Sequence, residues 1–359
     1  AEERQKMRLL LEASLNEGAF GLSSGLVYSH EKYASLEEII SIAKVLRNNS
    51  LYSVHIRSEG KEFLSSVNEV LSIARESGVK LHISHLKAIG RKSWPDFLKA
   101  LKMIDNAVVS GMDITFDQFP YRRTGSLLYL LLPSWVRDGG FDKMFERFRD
   151  AAEREKIISD LKNFTLHYDK IIISTAKNKS IVGKTIKEIA DFSEINPENA
   201  LLDILLSNEG RVTIFGRTLS MKNFVSGLSS EISVISSDGA GFSEAERNRG
   251  DLVHPRCFGA FPHFLHKFVK ERKILSWEEA IKKITSMPAE KLGIKKRGRI
   301  KEGYFADLAI FDPNVLKDRS TYRNPYLYPI GMGWVIVNGQ IVFERDVFHN
   351  KKAGKILRK

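Results

Sequence analysis

YSVHIRSEGKEFLSSVNEVLSIARESGVKLHISH, residues 52–85, holds a strand, a helix and a second strand in one pass. Residues 52–57 and 80–85 alternate apolar with polar side chains, and the helical segment 62–75 between them is stopped by Gly78. The rhythm extends in both directions. Downstream come a helix over 96–109, a Gly111 stop and a strand over 113–117. Upstream, a strand over 20–23 precedes a helix over 36–46, for which Ser35 and Glu38 form a capping box. Before that strand Met7, Leu10, Leu11 and Leu15 recur at helical spacing. Strands alternating with single helices pair in parallel. His55 and Arg57, His85 and Lys87, Asp117 and Tyr121, and finally Asp238 all fall at C-terminal strand ends, where a (β/α)8 barrel keeps its active site. The expected fold class is therefore α/β, a TIM barrel.

Charged helices around two short strands, 171–174 and 212–215, change the pattern over 141–228, which reads as an insertion over the barrel. The barrel resumes with the strand 233–238 and helices over 264–272 and 277–284, so 1–297 is the expected barrel domain. Residues 298–359 carry β segments at 308–311, 334–337 and 340–343 with an Asn338-Gly339 hairpin turn, part of a small C-terminal β domain with a tail.

Composition narrows the function. Of 359 residues 43% are hydrophobic and 28% charged, ordinary for a folded domain. The longest apolar run, 127–132, is far short of a membrane span, so no membrane partner is expected. A lone cysteine, Cys257, rules out an internal disulfide and fits a reducing compartment, with cytoplasm the expected location. The net charge of +12 is spread along segments such as Lys184 and Lys187, and its densest run, Lys295-Lys296-Arg297, is a connector. Without basic residues interleaved with aromatics on one element, no nucleic acid partner is expected; the charge is solvated surface or a functional positive field.

Two strand-end histidines, His55 and His85, carry the strongest chemical signal. Imidazoles on adjacent strands can converge on one Zn²⁺, while a strand histidine can equally be a hydrogen-bonded core residue. His82 lies three residues before His85 and faces the other side of an extended strand, which makes it a structural histidine. Asp238 ends a β-branched strand before Gly239 and suits either a proton shuttle or a turn carboxylate.

The run Gly21-Leu22-Ser23-Ser24-Gly25-Leu26-Val27-Tyr28, then Val54-His55-Ile56-Arg57, Ile83-Ser84-His85-Leu86-Lys87 and Phe116-Asp117-Gln118-Phe119-Pro120-Tyr121, resembles the N-acyl-D-amino-acid deacylase (D-aminoacylase) family of the amidohydrolase superfamily. Ser237-Asp238-Gly239, His254-Pro255-Arg256 and the closing Gly298-Arg299-Ile300, Ala306-Asp307-Leu308 and Val337-Asn338-Gly339 continue the match in order; 141–228 matches loosely. The resemblance implies a zinc enzyme that hydrolyses the amide of N-acyl-D-amino acids. It implies that His55 and His85 bind zinc, that Asp238 is the acid/base, and that Lys87, Tyr121 and Arg256, with Tyr28 nearby, line the substrate site. An arginine fork can grip the substrate carboxylate and a tyrosine can donate to an oxyanion. Taken without the resemblance, Lys87 can be a solvated lysine, Tyr121 a packing residue and Arg256 a loop ion pair. The family's cysteine ligand belongs to an earlier strand, so Cys257 is read as a loop residue. The rivals are a cyclic-amide or dipeptide amidohydrolase and a non-catalytic basic remnant or scaffold.

The resemblance also makes the strands ending at Ser23, His55, His85, Asp117 and Asp238 the fourth to eighth. The first three, about 150 residues with the leading β segments, are expected to be missing. Because five strands leave open edges, the chain is expected to be inactive alone, and to be either a fragment of a longer gene product or one that needs a partner, a homo-oligomer or a separate N-terminal portion.

Overall fold

The computed structural model describes residues 2–28, 30–46, 50–164, 166–242 and 247–359. Ala1, which precedes the helical spacing of Met7 to Leu15, lies outside them. Four parallel strands, β1 (Gly21–Gly25), β2 (Leu51–His55), β3 (Lys80–Ile83) and β4 (Ile114–Gln118), lie side by side in sequence order. Next come β5 (Thr124–Leu127), β6 (Ile171–Thr175) and β7 (Thr213–Gly216), and then β8 (Ser233–Ile235), which joins the first sheet beside β4. Among the described residues this parallel sheet has five strands, with β1 and β8 at its ends. Its register pairs Gly25 with His55, Val54 with Ile83, Ile83 with Phe116 and Gln118 with Ile235. The C-terminal strand ends therefore form one level rim.

Helices Leu36–Ala43, Phe63–Ser77 and Asp96–Val109 connect the strands. Ser35 caps the first by accepting from the Glu38 N–H, and Gly78 ends the second in the left-handed region at φ 71°. Tyr52, Phe63, Ile83, Phe97 and Phe116 are fully buried between sheet and helices. Each contributes about 1.5–3 kcal/mol through removal from water. The helix Glu2–Asn16 is attached more lightly than its apolar stripe suggests, because Leu11 is buried while Leu10 stays 66% exposed.

Three sequence expectations shift. The strand β5, which the sequence did not signal, pairs antiparallel with β7, and a buried cluster separate from that of the parallel sheet spans Leu128 to Ile214. Thr-Gly-Ser-Leu has no alternation of β-branched residues, so β5 gave no strand signal. The helix expected over 264–272 starts earlier, as Arg256–Phe264, and continues as a π-helix over Leu265–Glu271. Residues expected to continue the strands as far as His85 and Asp238 instead turn left-handed there, at φ 38° and 48°. At the C-terminal end β9 (Leu308–Phe311), β10 (Met332–Val337), β11 (Gln340–Glu344) and β12 (Val347–Phe348) form an antiparallel sheet in the order β12-β11-β10-β9.

The tightest point of the parallel sheet is Gly21, where a Cβ would stand 1.9 Å from the carbonyl oxygen of Leu51. Gly21→Ala is expected to force β1 away from β2 and cost about 1–3 kcal/mol, read as a lower urea midpoint. An unchanged midpoint would show that this approach is not a constraint.

Candidate metal centre

The rim places His55 and His85 on neighbouring strands with ring centroids 4.3 Å apart and planes at 82°. Glu59, four residues after His55 and beyond the end of β2, swings back between them. One carboxylate oxygen of Glu59 is 3.4 Å from His55 Nε2 and 3.2 Å from His85 Nδ1. One ligand atom from each of the three lies within 4.8 Å of the others. The Lys87 ammonium donates to the same Glu59 oxygen at 2.5 Å and to His85 Nδ1 at 2.7 Å. An ammonium only donates, so His85 Nδ1 is an acceptor and its approach to Glu59 is a contact rather than a hydrogen bond.

Electrostatics prepares these groups for a cation. Burial pushes the His55 pKa down to about 4, outweighing the pull of Glu59, so its imidazole is neutral at pH 7. Burial pushes Glu59 upward, but the Lys87 ammonium outweighs it and holds the carboxyl well below the usual carboxylate range. Two neutral imidazole nitrogens and an ionised carboxylate form an N₂O donor set of the kind catalytic zinc takes. Lys87, with its side chain 12% exposed, is an internal ion-pair partner rather than a solvated lysine.

His82 is structural, as expected, though not because an extended strand carries it away from His85. Its Nε2 meets Asp117 Oδ2 at 2.8 Å and its Nδ1 meets Thr115 Oγ1 at 2.8 Å. The other Asp117 oxygen accepts the backbone N–H of His85 at 3.1 Å and the hydroxyl of Ser236.

Asp238 borders the same cavity as His55, Glu59, His85, Lys87, Tyr28 and Arg256, a space of about 1880 Å³. Asp238 Oδ2 accepts from Arg256 Nη1 at 2.6 Å, and the Arg256 guanidinium lies 5.0 Å from the centre of the Phe119 ring. Gly239 lets the two loops approach, since a Cβ there would stand 3.1 Å from the Cα of Cys257. Tyr28 meets the His55 ring edge-on at 5.4 Å. Burial raises the Tyr28 pKa, with Glu59 and Asp238 adding to it, so its hydroxyl stays protonated and available as a donor.

Tyr121 is placed differently from the expectation that it lines the substrate site. It stacks on His263 at 4.6 Å, meets His254 edge-on at 5.1 Å, and touches only a small void of about 20 Å³ behind His85 and Lys87. The chain turns after β4 so that Phe119 takes the cavity wall, leaving the Tyr121 hydroxyl buried without a partner. Sequence reasoning missed Glu59, although its place four residues after His55 in His-Ile-Arg-Ser-Glu was a usable signal.

A rim of donors at the C-terminal strand ends of a parallel α/β sheet is where folds of this class keep their active sites. The Amidohydrolase family model matches residues 252–343. The D-aminoacylase of Alcaligenes xylosoxydans xylosoxydans is 28% identical over 358 residues, which is 99% of this chain and 65% of that protein. The N-acyl-D-glutamate deacylase of the same organism is 28% identical over 369 aligned positions, 100% of this chain and 65% of that protein. A crystal structure of an N-acyl-D-glutamate deacylase from Bordetella bronchiseptica, complexed with zinc and a phosphonate inhibitor that mimics the tetrahedral intermediate, superposes with a TM-score of 0.81. It is 26% identical, and the match covers 100% of this chain and 67% of that one. Over its whole length the chain is similar to D-aminoacylases and N-acyl-D-glutamate deacylases, both in sequence and in fold. It spans 65% of the length of these two curated relatives.

His254, beside Arg256, supplies a test of the site's packing. Its Nε2 donates to the Arg123 carbonyl at 3.0 Å while its Nδ1 accepts the Arg256 N–H at 3.1 Å, which fixes a neutral tautomer. Burial, with Arg256 adding to it, lowers its pKa from 6.5 to about 3. A depressed folded-state pKa gives stability that is present above pH 6.5 and lost as the pH falls toward 3. Urea midpoints should therefore fall between pH 6.5 and 4, and His254→Gln should remove up to one proton's share of that slope, roughly 1.4 kcal/mol per pH unit. Equal slopes in both proteins would mean that His254 charges freely in the folded state.

Proposed function

We propose that this protein is a zinc-dependent hydrolase that cleaves the amide bond of N-acyl-D-amino acids to a carboxylate and a free D-amino acid. The observation that carries this reading is the convergence of His55, Glu59 and His85 on one rim of a cavity that Asp238 also borders. The zinc-bound deacylase relative supports the choice of metal. His55 and His85 would hold it, with Glu59 the third donor from this chain. When bound, zinc polarises the acyl carbonyl and lowers the pKa of water.

The remaining roles belong to side chains. Asp238 takes the proton of the attacking water at Oδ1, its Oδ2 being held by Arg256, and returns it to the leaving nitrogen. Arg256 and Lys87 attract the substrate's α-carboxylate. Tyr28 donates a hydrogen bond beside His55, and Tyr121 supports Arg256 from behind through His254.

The five parallel strands correspond in this reading to strands four to eight of a (β/α)8 barrel, a correspondence supported by their order and by the 65% share of the relatives' length that the chain spans. Residues 1–297 form the barrel part with its insertion over 141–228, and 298–359 part of the small β domain. The enzyme works in the cytoplasm on a small-molecule substrate.

Metal analysis and turnover of the zinc-loaded protein test this reading together. Asp238→Asn is expected to keep its zinc while kcat for N-acetyl-D-amino acids falls about 10²- to 10⁴-fold. Near-normal turnover in that variant would reassign Asp238. Glu59→Gln is expected to weaken zinc binding by at least about tenfold, measured by competition with a chelator; unchanged affinity would remove Glu59 from the ligand set.

A further inference from the structure

Twelve Lys and Arg side chains border the cavity, against four carboxylates among the described residues. One of these cations, Arg57, has little to offer a ligand, because all three of its guanidinium nitrogens are committed to the protein. Nε and Nη2 donate to the Glu69 carboxylate, at 3.1 and 2.8 Å. Nη1 donates to the Lys32 carbonyl, and Nη2 also to the Ala34 carbonyl at 3.1 Å.

These bonds join three elements beside the metal donors. Arg57 lies two residues beyond His55 at the end of β2, Glu69 lies in the helix Phe63–Ser77, and Lys32 and Ala34 lie in the loop that follows β1. Neither carbonyl belongs to a helix or strand, so the guanidinium fork supplies the anchorage that regular structure would otherwise give. The same loop carries Tyr28. Its N–H donates to the Gly25 carbonyl at 3.0 Å, and its carbonyl accepts the N–H groups of Glu31 and Lys32 at 3.0 and 2.8 Å. Its ring lies over Gly25, where a Cβ would stand 2.5 Å from the ring edge. The turn is thus pinned by β1 on one side and by Arg57 on the other. A further tie, the Lys32–Asp138 ion pair, lies nearer the surface and contributes little.

We propose that Arg57, held by Glu69, is a positioning residue that sets the stance of the Tyr28 hydroxyl beside His55. The inference rests on the hydrolase reading above, which gives Tyr28 its task. Arg57 and His55 share one strand end, so the clamp refers the phenol to the same backbone that carries the imidazole it meets edge-on at 5.4 Å. A lysine cannot replace it, since one ammonium lacks the planar fork that reaches a carboxylate and two carbonyls together.

Kinetics of N-acetyl-D-leucine hydrolysis in zinc-loaded protein test this, together with the rate at which tetranitromethane nitrates Tyr28, read by peptide mass spectrometry. Arg57→Met should lower kcat about 10- to 100-fold with KM changed less than about threefold, because a displaced donor weakens the transition state more than the bound substrate. In a Tyr28→Phe background the same change should cost less than about twofold more. Nitration of Tyr28 should quicken several-fold in Arg57→Met, as the freed turn opens. Arg57→Lys should behave like Arg57→Met. Glu69→Gln, which keeps the fork but loosens its holder, should show the same pattern in milder form and serves if Arg57→Met fails to fold. Asp138→Asn, which cuts the surface tie to the same loop, should leave both readouts near wild type. Additive losses in the double variant, unchanged nitration, or an equal effect of Asp138→Asn would overturn the proposal. Faster nitration in Arg57→Met, in a protein that turns over no N-acyl-D-amino acid, would sink the hydrolase reading and leave the positioning role standing.

Discussion

The carboxylate of Asp117, buried at the end of β4, ties three strand ends into one rim. It receives His82 Nε2 and the His85 N–H from the β3 side and the Ser236 hydroxyl from the β8 side. Burial alone would raise its pKa, but His82 and Ser236 outweigh that and keep it ionised. An unpaired carboxylate in this position would be prohibitively unfavourable, whereas one with three donors fixes the geometry of each. The left-handed turn at His85 follows from this arrangement. Its N–H leaves the strand ladder and is satisfied by Asp117, which presents the imidazole to Glu59 and His55. The alignment of the metal donors therefore begins one residue layer beneath them.

The same economy of charge runs through the site above. Glu59 is held by Lys87, and Asp238 by Arg256, so each anion that faces the cavity is already ion-paired within the protein. His254 supports this layout without adding charge, since both its nitrogens are committed to backbone groups and its ring packs among Phe119, Tyr121, Phe215 and Tyr322. The excess of cations around the cavity is a property of its lining as a whole, and the general basic character of the chain did not by itself locate it.

Periodicity made the parallel half of the fold legible. The segment 52–85, with its two alternating runs around one helix, led to β2 and β3 within two residues at each end, and the stop at Gly78 is present; at Ser35 the N-cap forms, its side chain accepting from Glu38 N–H, without the reciprocal bond of a full capping box among the described residues. His55, His85 and Asp238 could be found because parallel strands bring their C-terminal ends to one side. Glu59 and the position of Tyr121 were harder to read, for a common reason. Both lie beyond a strand end, where side-chain direction is set by how the chain turns rather than by a period of two. β5 escaped notice because Thr-Gly-Ser-Leu is held in its sheet by pairing with β7, not by its own propensity.

The insertion has a core of its own, running from Leu128 to Ile214, distinct from the one between the parallel sheet and its helices. Two hydrophobic interiors in one chain mean two separate packing problems, and a change that one must absorb leaves the other untouched. The rim of the parallel sheet carries His55, Glu59 and His85, while one wall of the cavity rests on the second interior. Diversification of what is admitted can therefore proceed in the insertion while the reactive centre stays fixed, much as a lock's wards can be recut without replacing its bolt.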